Sequence, residues 1–395
     1  MNHGQDIVIV GAARTPQGKL MGQLAALSAA DLGGAAIAGA LDNARVAPEA
    51  VDAVIMGQVL QAGSGQNPAR QAAAAAGIPL HAHATTVNKV CLSGLSAIID
   101  ATRMLQLGEA AVVVAGGQES MSNAPHLLPG FRSGQLYGNS TLLDSAAHDG
   151  LIDAFDHESM GSVTDRTNEE LQIPRAEQDA AALASHQRAA AAQDNGRFQS
   201  EITPVKVPQR RGEAVLATSD EGIRANTTIE VLNRLKPAFS PEGTVTAANA
   251  SPLNDGAAAV VLTTREYADA HGLEILATVG SPGQIAGPDT SLPDKPARAI
   301  TKALASAGWK VEELDFVEIN EAFASVSLHS AAQLGISMDR VNLNGGAIAL
   351  GHPLGASGGR LVVTAVHELL RRKSGKTAVA LCGGGGQGEA LLLSR

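Results

Sequence analysis

Two cysteines and one histidine stand at predicted turns where covalent chemistry is often found. Cys91 lies in residues 88–97 (NKVCLSGLSA), between a predicted strand and a helix of small residues. A thiol at a helix N-terminus feels the positive end of the helix dipole, so we expect its thiolate to be stabilised. A lone cysteine is also often a small buried hydrophobe. The local pattern leaves a nucleophile and a structural thiol both open.

His352 lies in a glycine-rich loop, residues 344–355 (NGGAIALGHPLG), before a predicted helix. Pro353 biases it away from helical geometry. An imidazole held there can take a proton from a thiol, which is the nucleophile–base arrangement of covalent catalysis. A hydrogen-bonded structural histidine is the alternative interpretation.

Cys382 opens the run 382–388 (CGGGGQG) directly after an apolar stretch. Such glycines expose backbone N–H groups that can hold a developing oxyanion. A glycine hairpin beside a buried thiol is the alternative, and the run lacks the lysine and helix of a phosphate-binding P-loop.

Asn320 begins the segment NEAF after a predicted strand at residues 314–319. Its amide could orient a water molecule or donate to an oxyanion. The position by itself favours a helix cap.

An internal duplication organises the chain. Residues 36–57 and 299–320 align without a gap, and eight positions are identical. In each copy, apolar residues at helical spacing lead into a short apolar run, which predicts a helix followed by a strand. Corresponding turns of a duplicated fold meet near its pseudo-twofold axis, so Cys91 and His352 are expected to face one pocket.

The alternation of helices and strands continues along both copies. It predicts sheets with helices on both faces, and two such units packed together form a layered αβαβα body. The predicted helices are 68–76, 92–107, 175–195, 322–334 and 356–370. The predicted strands are 84–88 and 341–343. A buried strand with a glycine cluster is predicted to close each copy, at 112–117 and 378–386, and 254–263 is predicted to be a helix start followed by a buried strand.

Three domains follow from these patterns. Residues 1–117 with 253–273 form the first half, 118–252 an inserted loop domain, and 274–395 the second half. The loop domain contains residues 197–236, with seven basic and five acidic side chains in a chain of net charge −10. Composition does not distinguish a solvated surface from a docking surface for an anionic ligand.

Composition also excludes several classes of protein. The negative charge argues against nucleic acid and anionic membranes as partners. Apolar runs fall short of the ~20 residues that span a bilayer, and the N-terminus shows no basic leader. Two cysteines are no disulfide framework, which favours a reducing, cytoplasmic compartment. His81 and His83 lack further ligands at metal-binding spacing, so no metal is expected.

Together, the segments around Cys91, Asn320, His352 and Cys382 resemble the thiolase family, which includes acetyl-CoA acetyltransferases and 3-ketoacyl-CoA thiolases. The resemblance covers essentially the whole chain. It implies a duplicated five-layer αβαβα sandwich with an inserted loop domain. The implied reaction is the reversible Claisen condensation of two acetyl-CoA molecules to acetoacetyl-CoA and CoA, or thiolytic cleavage of a 3-ketoacyl-CoA.

The resemblance also implies roles for individual residues. Cys91 would carry the acyl group, His352 would activate it, and Cys382 would move the proton on the acyl α-carbon. Asn320 would hold a water that helps His352 stabilise the enolate oxygen. The backbone N–H groups of Cys91 and Gly384 would form a second oxyanion hole.

Coenzyme A would be substrate and product, with no tightly bound cofactor. The family contacts correspond to Arg224 near the nucleotide, Ala247 and Ser251 along the pantetheine, and Leu151 and Met160 in the pocket.

The family implies a homotetramer, a dimer of dimers, with residues 125–138 as a candidate contact. Ser159 and Gln284 depart from the short-chain pattern near the expected acyl site, which leaves chain length open. The alternatives are a longer-chain thiolase of β-oxidation, an inactive acyl-CoA-binding protein, and a redox pair formed by Cys91 and Cys382.

Overall fold

A computed structural model describes residues 6–395 of the chain. Within this range the strands are β1 (Ile7–Arg14), β2 (Gly18–Lys19), β3 (Ala53–Gly57), β4 (His83–Val87), β5 (Val112–Ser120), β6 (His126–Leu127), β7 (Leu143–Asp144), β8 (Val205–Val207), β9 (Val215–Ala217), β10 (Asn254–Thr264), β11 (Ala277–Ala286), β12 (Phe316–Ile319), β13 (Lys376–Gly383) and β14 (Gln387–Ser394).

The helices of the same range are α1 (Ala29–Ala44), α2 (Pro68–Ala75), α3 (Ser93–Gln106), α4 (Met160–Glu170), α5 (Arg175–Asp194), α6 (Ile229–Leu232), α7 (Arg265–Ala270), α8 (Lys295–Ala307), α9 (Ala324–Leu334), α10 (Ala347–Leu350) and α11 (Ser357–Arg372). Local signals set several ends. Ser28 and Asp31 form a capping box at the start of α1, and Gly308 ends α8 in the left-handed conformation.

The main sheet has two halves of the same design. In the first half the strand order is β4, β3, β5, β10, β1, and in the second it is β12, β13, β14, β11. In both, parallel pairs lie on the outer side and antiparallel pairs on the inner side. The halves join where β1 pairs with β11 at Val8–Thr278 and Ile9–Ala277, so the two predicted sheets form one continuous sheet.

Helices cover both faces of each half and create five layers. Helices α3 and α11 pack between the half-sheets in one apolar core, whereas α1 with α2, and α8 with α9, cover the two outer faces. Two successive residues of β5 show that both faces of the sheet are buried. Val113 faces the central core, and Val114 faces the outer core. The predicted αβαβα sandwich is confirmed.

The duplication seen in the sequence is also present in the structure. Residues 36–57 run from α1 into β3, and residues 299–320 from α8 into β12. The equivalent side chains Asp52 and Asp315 accept hydrogen bonds from the first backbone N–H of β5 and of β13, at 3.0 and 2.8 Å. The two copies therefore share details of hydrogen bonding as well as topology.

Residues 121–253 separate β5 from β10 and contain α4, α5, α6 and two small strand pairs. Arg14 of β1 ties this region to the core. Its buried guanidinium lies 2.7 Å from both Glu201 and Asp220. Within residues 6–395, every helix is too short or too polar to cross a membrane.

Two predicted elements were wrong, for reasons that lie in asparagine side chains. No helix starts near Asn254, because its amide bonds Gly18 O and the backbone N–H of His352 instead of capping a helix. Residues 341–343 form only one bridge, since the Asn342 side chain bonds both Ile319 N and Ile319 O at 2.8 Å and replaces a strand ladder.

Candidate active site

One cavity of about 140 Å³ brings the predicted catalytic groups together. Cys91, His352, Cys382 and Gly384 all line it, beside mostly apolar side chains. The expectation that two turns distant along the chain face one pocket is therefore met by the geometry. The cavity receives residues from both halves of the sheet and from the segment between them.

Cys91 sits on a tight turn just before α3. Val90 has a φ of 51°, a left-handed conformation that is rare for a β-branched residue and costs energy. The turn is held by its neighbours: Asn88 Oδ1 accepts from Val90 N at 3.0 Å, and Ser93 Oγ accepts from Lys89 N at 2.8 Å. This strained turn aims the Cys91 side chain into the cavity.

The two central helices approach each other backbone to backbone below the cavity. A Cβ atom on Gly94 would lie 2.7 Å from Gly355 O, and one on Gly358 would lie 2.3 Å from Leu95 N. Neither contact is possible for a real side chain. The glycines that follow Cys91 and His352 therefore allow the two catalytic turns to come together.

The Cys91 thiol is protonated in the resting site, contrary to the expectation of a stabilised thiolate. Burial raises its pKa to about 12. The backbone N–H groups of Gly384 and of Cys91 itself pull the pKa down, and the nearby Glu119 carboxylate pushes it up. Desolvation outweighs these two N–H groups, so attack requires a base.

His352 is oriented by two residues that the sequence did not single out. Its backbone N–H donates to Asn254 Oδ1 at 3.0 Å, and Nδ1 lies 2.5 Å from Ser357 Oγ. The Ser357 hydroxyl donates to Pro353 O at 2.9 Å, so it accepts from an Nδ1–H. Nε2 is then the free base. Burial and the Arg360 charge lower the pKa of His352 to about 3.

Asn320 lies beside the imidazole and caps no helix. Helix α9 begins later, after Phe323, so the cap interpretation was wrong. The amide Nδ2 is 3.5 and 3.4 Å from the two ring nitrogens of His352. Its buried Oδ1 has no hydrogen-bond partner in the described chain, which leaves an acceptor for a small polar ligand or water.

Cys382 is the last but one residue of β13 and is almost completely buried. Burial and the proximity of Cys91 raise the pKa of its thiol. A tight turn follows in which Gly385 and Gly386 have φ values of 75° and 69°. The turn leaves the Gly384 N–H free to face the Cys91 sulfur.

The residues assigned to coenzyme A divide into two groups. Leu151, Met160 and Ser251 line the cavity, whereas Arg224 and Ala247 are exposed outside it. Coenzyme A is much longer than the cavity, so contacts outside it are compatible with a ligand that extends to the surface.

The two residues that depart from the short-chain pattern lie in different parts of the structure. Ser159 lines the cavity, and its hydroxyl caps α4 by accepting from Ser162 N at 3.1 Å. Gln284 instead bonds Glu389 and Arg103 at 2.5 and 2.9 Å. Gln284 does not line the cavity, so its effect on acyl chain length stays a prediction.

This arrangement suits covalent acyl transfer. A protonated thiol and a neutral imidazole can exchange a proton as the sulfur attacks, and two N–H groups face the place where negative charge would develop. A second thiol in the same cavity offers another group for proton transfer.

Comparisons with known proteins agree over nearly the whole chain. The family model described as "Thiolase, N-terminal domain" matches residues 7–266, and "Thiolase, C-terminal domain" matches residues 273–395. A "Probable acetyl-CoA acetyltransferase" of Mycolicibacterium smegmatis is 54% identical over 388 residues, covering 98% of this chain and 100% of the relative.

Two further relatives are equally complete. An "Acetyl-CoA acetyltransferase" of Pseudomonas aeruginosa is 51% identical over 99% of this chain and 100% of its own. The crystal structure of the Bacillus anthracis acetyl-CoA acetyltransferase superposes with a TM-score of 0.97 at 39% identity and covers 100% of both chains.

Proposed function

Since the chain belongs to the thiolase family, we propose that it is an acyl-CoA:acetyl-CoA C-acyltransferase that works through a Cys91 acyl-enzyme. It condenses two acetyl-CoA molecules to acetoacetyl-CoA and CoA, or cleaves a 3-ketoacyl-CoA with CoA. The observation that carries this proposal is the convergence of Cys91, His352 and Cys382 on one cavity.

The first stage transfers the acetyl group to the enzyme. His352 Nε2 takes the thiol proton while the Cys91 sulfur attacks the thioester carbonyl. The oxyanion that forms is stabilised by the N–H groups of Cys91 and Gly384, a contribution of roughly 3 kcal/mol per donor in comparable sites. The CoA thiolate leaves and takes the proton of Cys382. The site then holds an acetyl-thioester, an imidazolium and a thiolate.

The second stage forms the carbon–carbon bond. The Cys382 thiolate removes a proton from the methyl carbon of a second acetyl-CoA. The imidazolium of His352 and a water held by Asn320 stabilise the enolate oxygen. The enolate carbon attacks the acetyl group on Cys91, and the Cys91 thiolate leaves with the imidazolium proton. Every group returns to its starting protonation state, and the reverse sequence gives thiolysis.

The cavity favours short acyl groups over the longer-chain alternative. Its volume of about 140 Å³ is comparable to an engineered cavity of ~150 Å³ that holds one benzene molecule. An acetoacetyl group has four carbons and two oxygens and is similar in size. Phe239 and Phe323 line the cavity and meet edge to face, with ring centroids 6.4 Å apart.

Coenzyme A binding completes the proposal. Leu151, Met160 and Ser251 would enclose the thioester end of the ligand, with Ala247 along the pantetheine and Arg224 near the nucleotide. No other tightly bound cofactor is required, because two thiols and an imidazole supply the chemistry. Both cysteines must remain reduced for it, which supports a cytoplasmic location.

A homotetramer, as a dimer of dimers, is the proposed assembly. The candidate contact, residues 125–138, exposes large apolar side chains, among them Leu136 at 100% and Tyr137 at 97%. Exposed apolar groups of this kind mark interaction sites. We further treat residues 118–252 as an inserted domain between the two halves, as proposed from the sequence.

A thiolysis assay with 3-ketoacyl-CoA substrates of increasing length tests the reaction and the chain length together. We expect turnover with acetoacetyl-CoA and a steep loss with longer chains. A preference for long chains would overturn the short-chain assignment. CoA binding without any acetyl exchange would instead support an inactive acyl-CoA-binding protein.

A further inference from the structure

Glu119 is a buried carboxylate that bonds to both halves of the molecule. It belongs to β5 of the first half and is 0% exposed. Its Oε2 accepts from Val59 N at 3.0 Å and from Gly355 N at 2.9 Å, and its Oε1 accepts from Leu60 N at 3.1 Å. Gly355 comes three residues after His352, so one side chain holds the histidine loop against the first half.

Glu389 makes the reciprocal connection. It belongs to β14 of the second half and is 0% exposed. Its Oε1 lies 2.5 Å from Lys89 Nζ, and its Oε2 accepts from Ser96 Oγ at 2.7 Å. Lys89 and Ser96 flank Cys91 on either side. Glu389 therefore holds the nucleophile's turn against the strand pair that carries Cys382.

We propose that Glu119 and Glu389 are positioning residues that set the distance between the cysteine turn and the histidine loop across the boundary of the two halves. Each glutamate comes from one half and binds the catalytic turn of the other. This inference rests on the proposed function and adds residues that act on the reaction without touching substrate.

Other contacts between the halves do little to fix the distance between the two turns, so this distance depends on side chains. Within residues 6–395, the half-sheets share two residue pairs, Val8–Thr278 and Ile9–Ala277. The backbone approach at Gly94 and Gly358 permits close contact but supplies no directional bond. Hydrogen bonds to a buried carboxylate are directional, so they define the spacing of the two turns. The spacing matters because a misplacement of ~1 Å can slow catalysis by ~100-fold.

The test measures single-turnover acetylation of Cys91 by saturating acetyl-CoA in Glu119→Gln and Glu389→Gln. Glutamine has the shape of glutamate, but its amide nitrogen is a donor where the carboxylate oxygen was an acceptor. That nitrogen would face the donors that now bond the glutamate. We expect acetylation to slow by about 10- to 100-fold in each variant. The KM for acetyl-CoA should change by no more than about twofold, because the residues assigned to coenzyme A are separate from both glutamates.

Asp52→Asn is the control for a carboxylate away from the site, although Asp52 is exposed and both glutamates are buried. Asp52 also accepts two backbone N–H bonds, from Ala111 and Val112, but it lies before β3, at the end of the strand away from the cavity. It should lose stability without slowing acetylation. Lys89→Met is a second variant that should disturb folding less, because the Lys89 side chain is 28% exposed. It should slow acetylation as Glu389→Gln does.

The outcomes separate the two proposals. Variants that fold and acetylate as fast as the wild type would overturn the positioning role, as would slowing of equal size in Asp52→Asn. A wild-type protein that is never acetylated would overturn the proposed function itself.

Discussion

At the scale of single residues, the reacting pair at rest is a protonated Cys91 thiol and a neutral His352 imidazole. Cys91, His352 and Cys382 could be selected from their turns in the sequence. A helix N-terminus suggested a thiolate, whereas burial raises the Cys91 pKa to about 12. Desolvation depends on residues distant along the chain, so local patterns cannot reveal it. The resting site is a neutral pair in which the proton moves during attack.

The pH dependence of acetylation tests this neutral pair. Burial and the Arg360 charge lower the pKa of His352 to about 3, so the imidazole stays neutral down to low pH. Glu119 has a pKa of about 7 because it is buried, so a fall in rate below pH 7 would reflect its protonation. The single-turnover rate of the wild type should fall below pH 7, and that of Glu119→Gln should not. A fall near the ordinary histidine pKa of ~6.5 that persists in Glu119→Gln would contradict the neutral pair.

Ser357 should matter because it selects the tautomer of His352. Ser357→Ala removes the acceptor at Nδ1, a bond worth about 1 kcal/mol, so acetylation should slow by at least about fivefold. Ser330→Ala is the matched control. Ser330 is also buried and donates to a proline carbonyl, Pro293 O at 2.9 Å, on the outer helix α9. Equal slowing in both variants, measured with acetyl-CoA, would count against the tautomer role.

At the scale of elements, periodicity predicted most helices and strands to within a few residues. Helix 175–195 is observed at Arg175–Asp194, and strand 84–88 at His83–Val87. The errors arose where an asparagine side chain bonds the backbone of another segment, as Asn342 does with Ile319. Such a partner is invisible to a single-segment pattern. The role of Glu119 was missed for the same reason, since its donors come from two other loops.

The approach of α3 to α11 should tolerate no side chain. A Cβ in Gly358→Ala would lie 2.3 Å from Leu95 N, a backbone atom that cannot move aside. We expect the free energy of unfolding to fall by at least about 2 kcal/mol. Gly108→Ala is the comparison, because Gly108 has a φ of +71° but open space around it, and strain alone costs about 1 kcal/mol. Denaturant unfolding that ranks Gly108→Ala as the more damaging change would contradict this packing account.

At the scale of the whole molecule, a duplicated unit produces an asymmetric site. The two halves share topology and even the bonds of Asp52 and Asp315, yet one half supplies a thiol where the other supplies an imidazole. The alignment of the two copies was enough to predict that Cys91 and His352 face one cavity. The cavity's size and the contacts across the boundary could not be predicted, because they depend on how closely the halves pack.

The most direct test is the mass of the intact protein after mixing with acetyl-CoA, followed by location of the modification. The wild type should gain one acetyl group on Cys91, Cys91→Ala should gain none, and His352→Ala should gain it far more slowly. These results would show that a residue of the second half activates a residue of the first. An acetyl group on another side chain, or full turnover by Cys91→Ala, would contradict the mechanism.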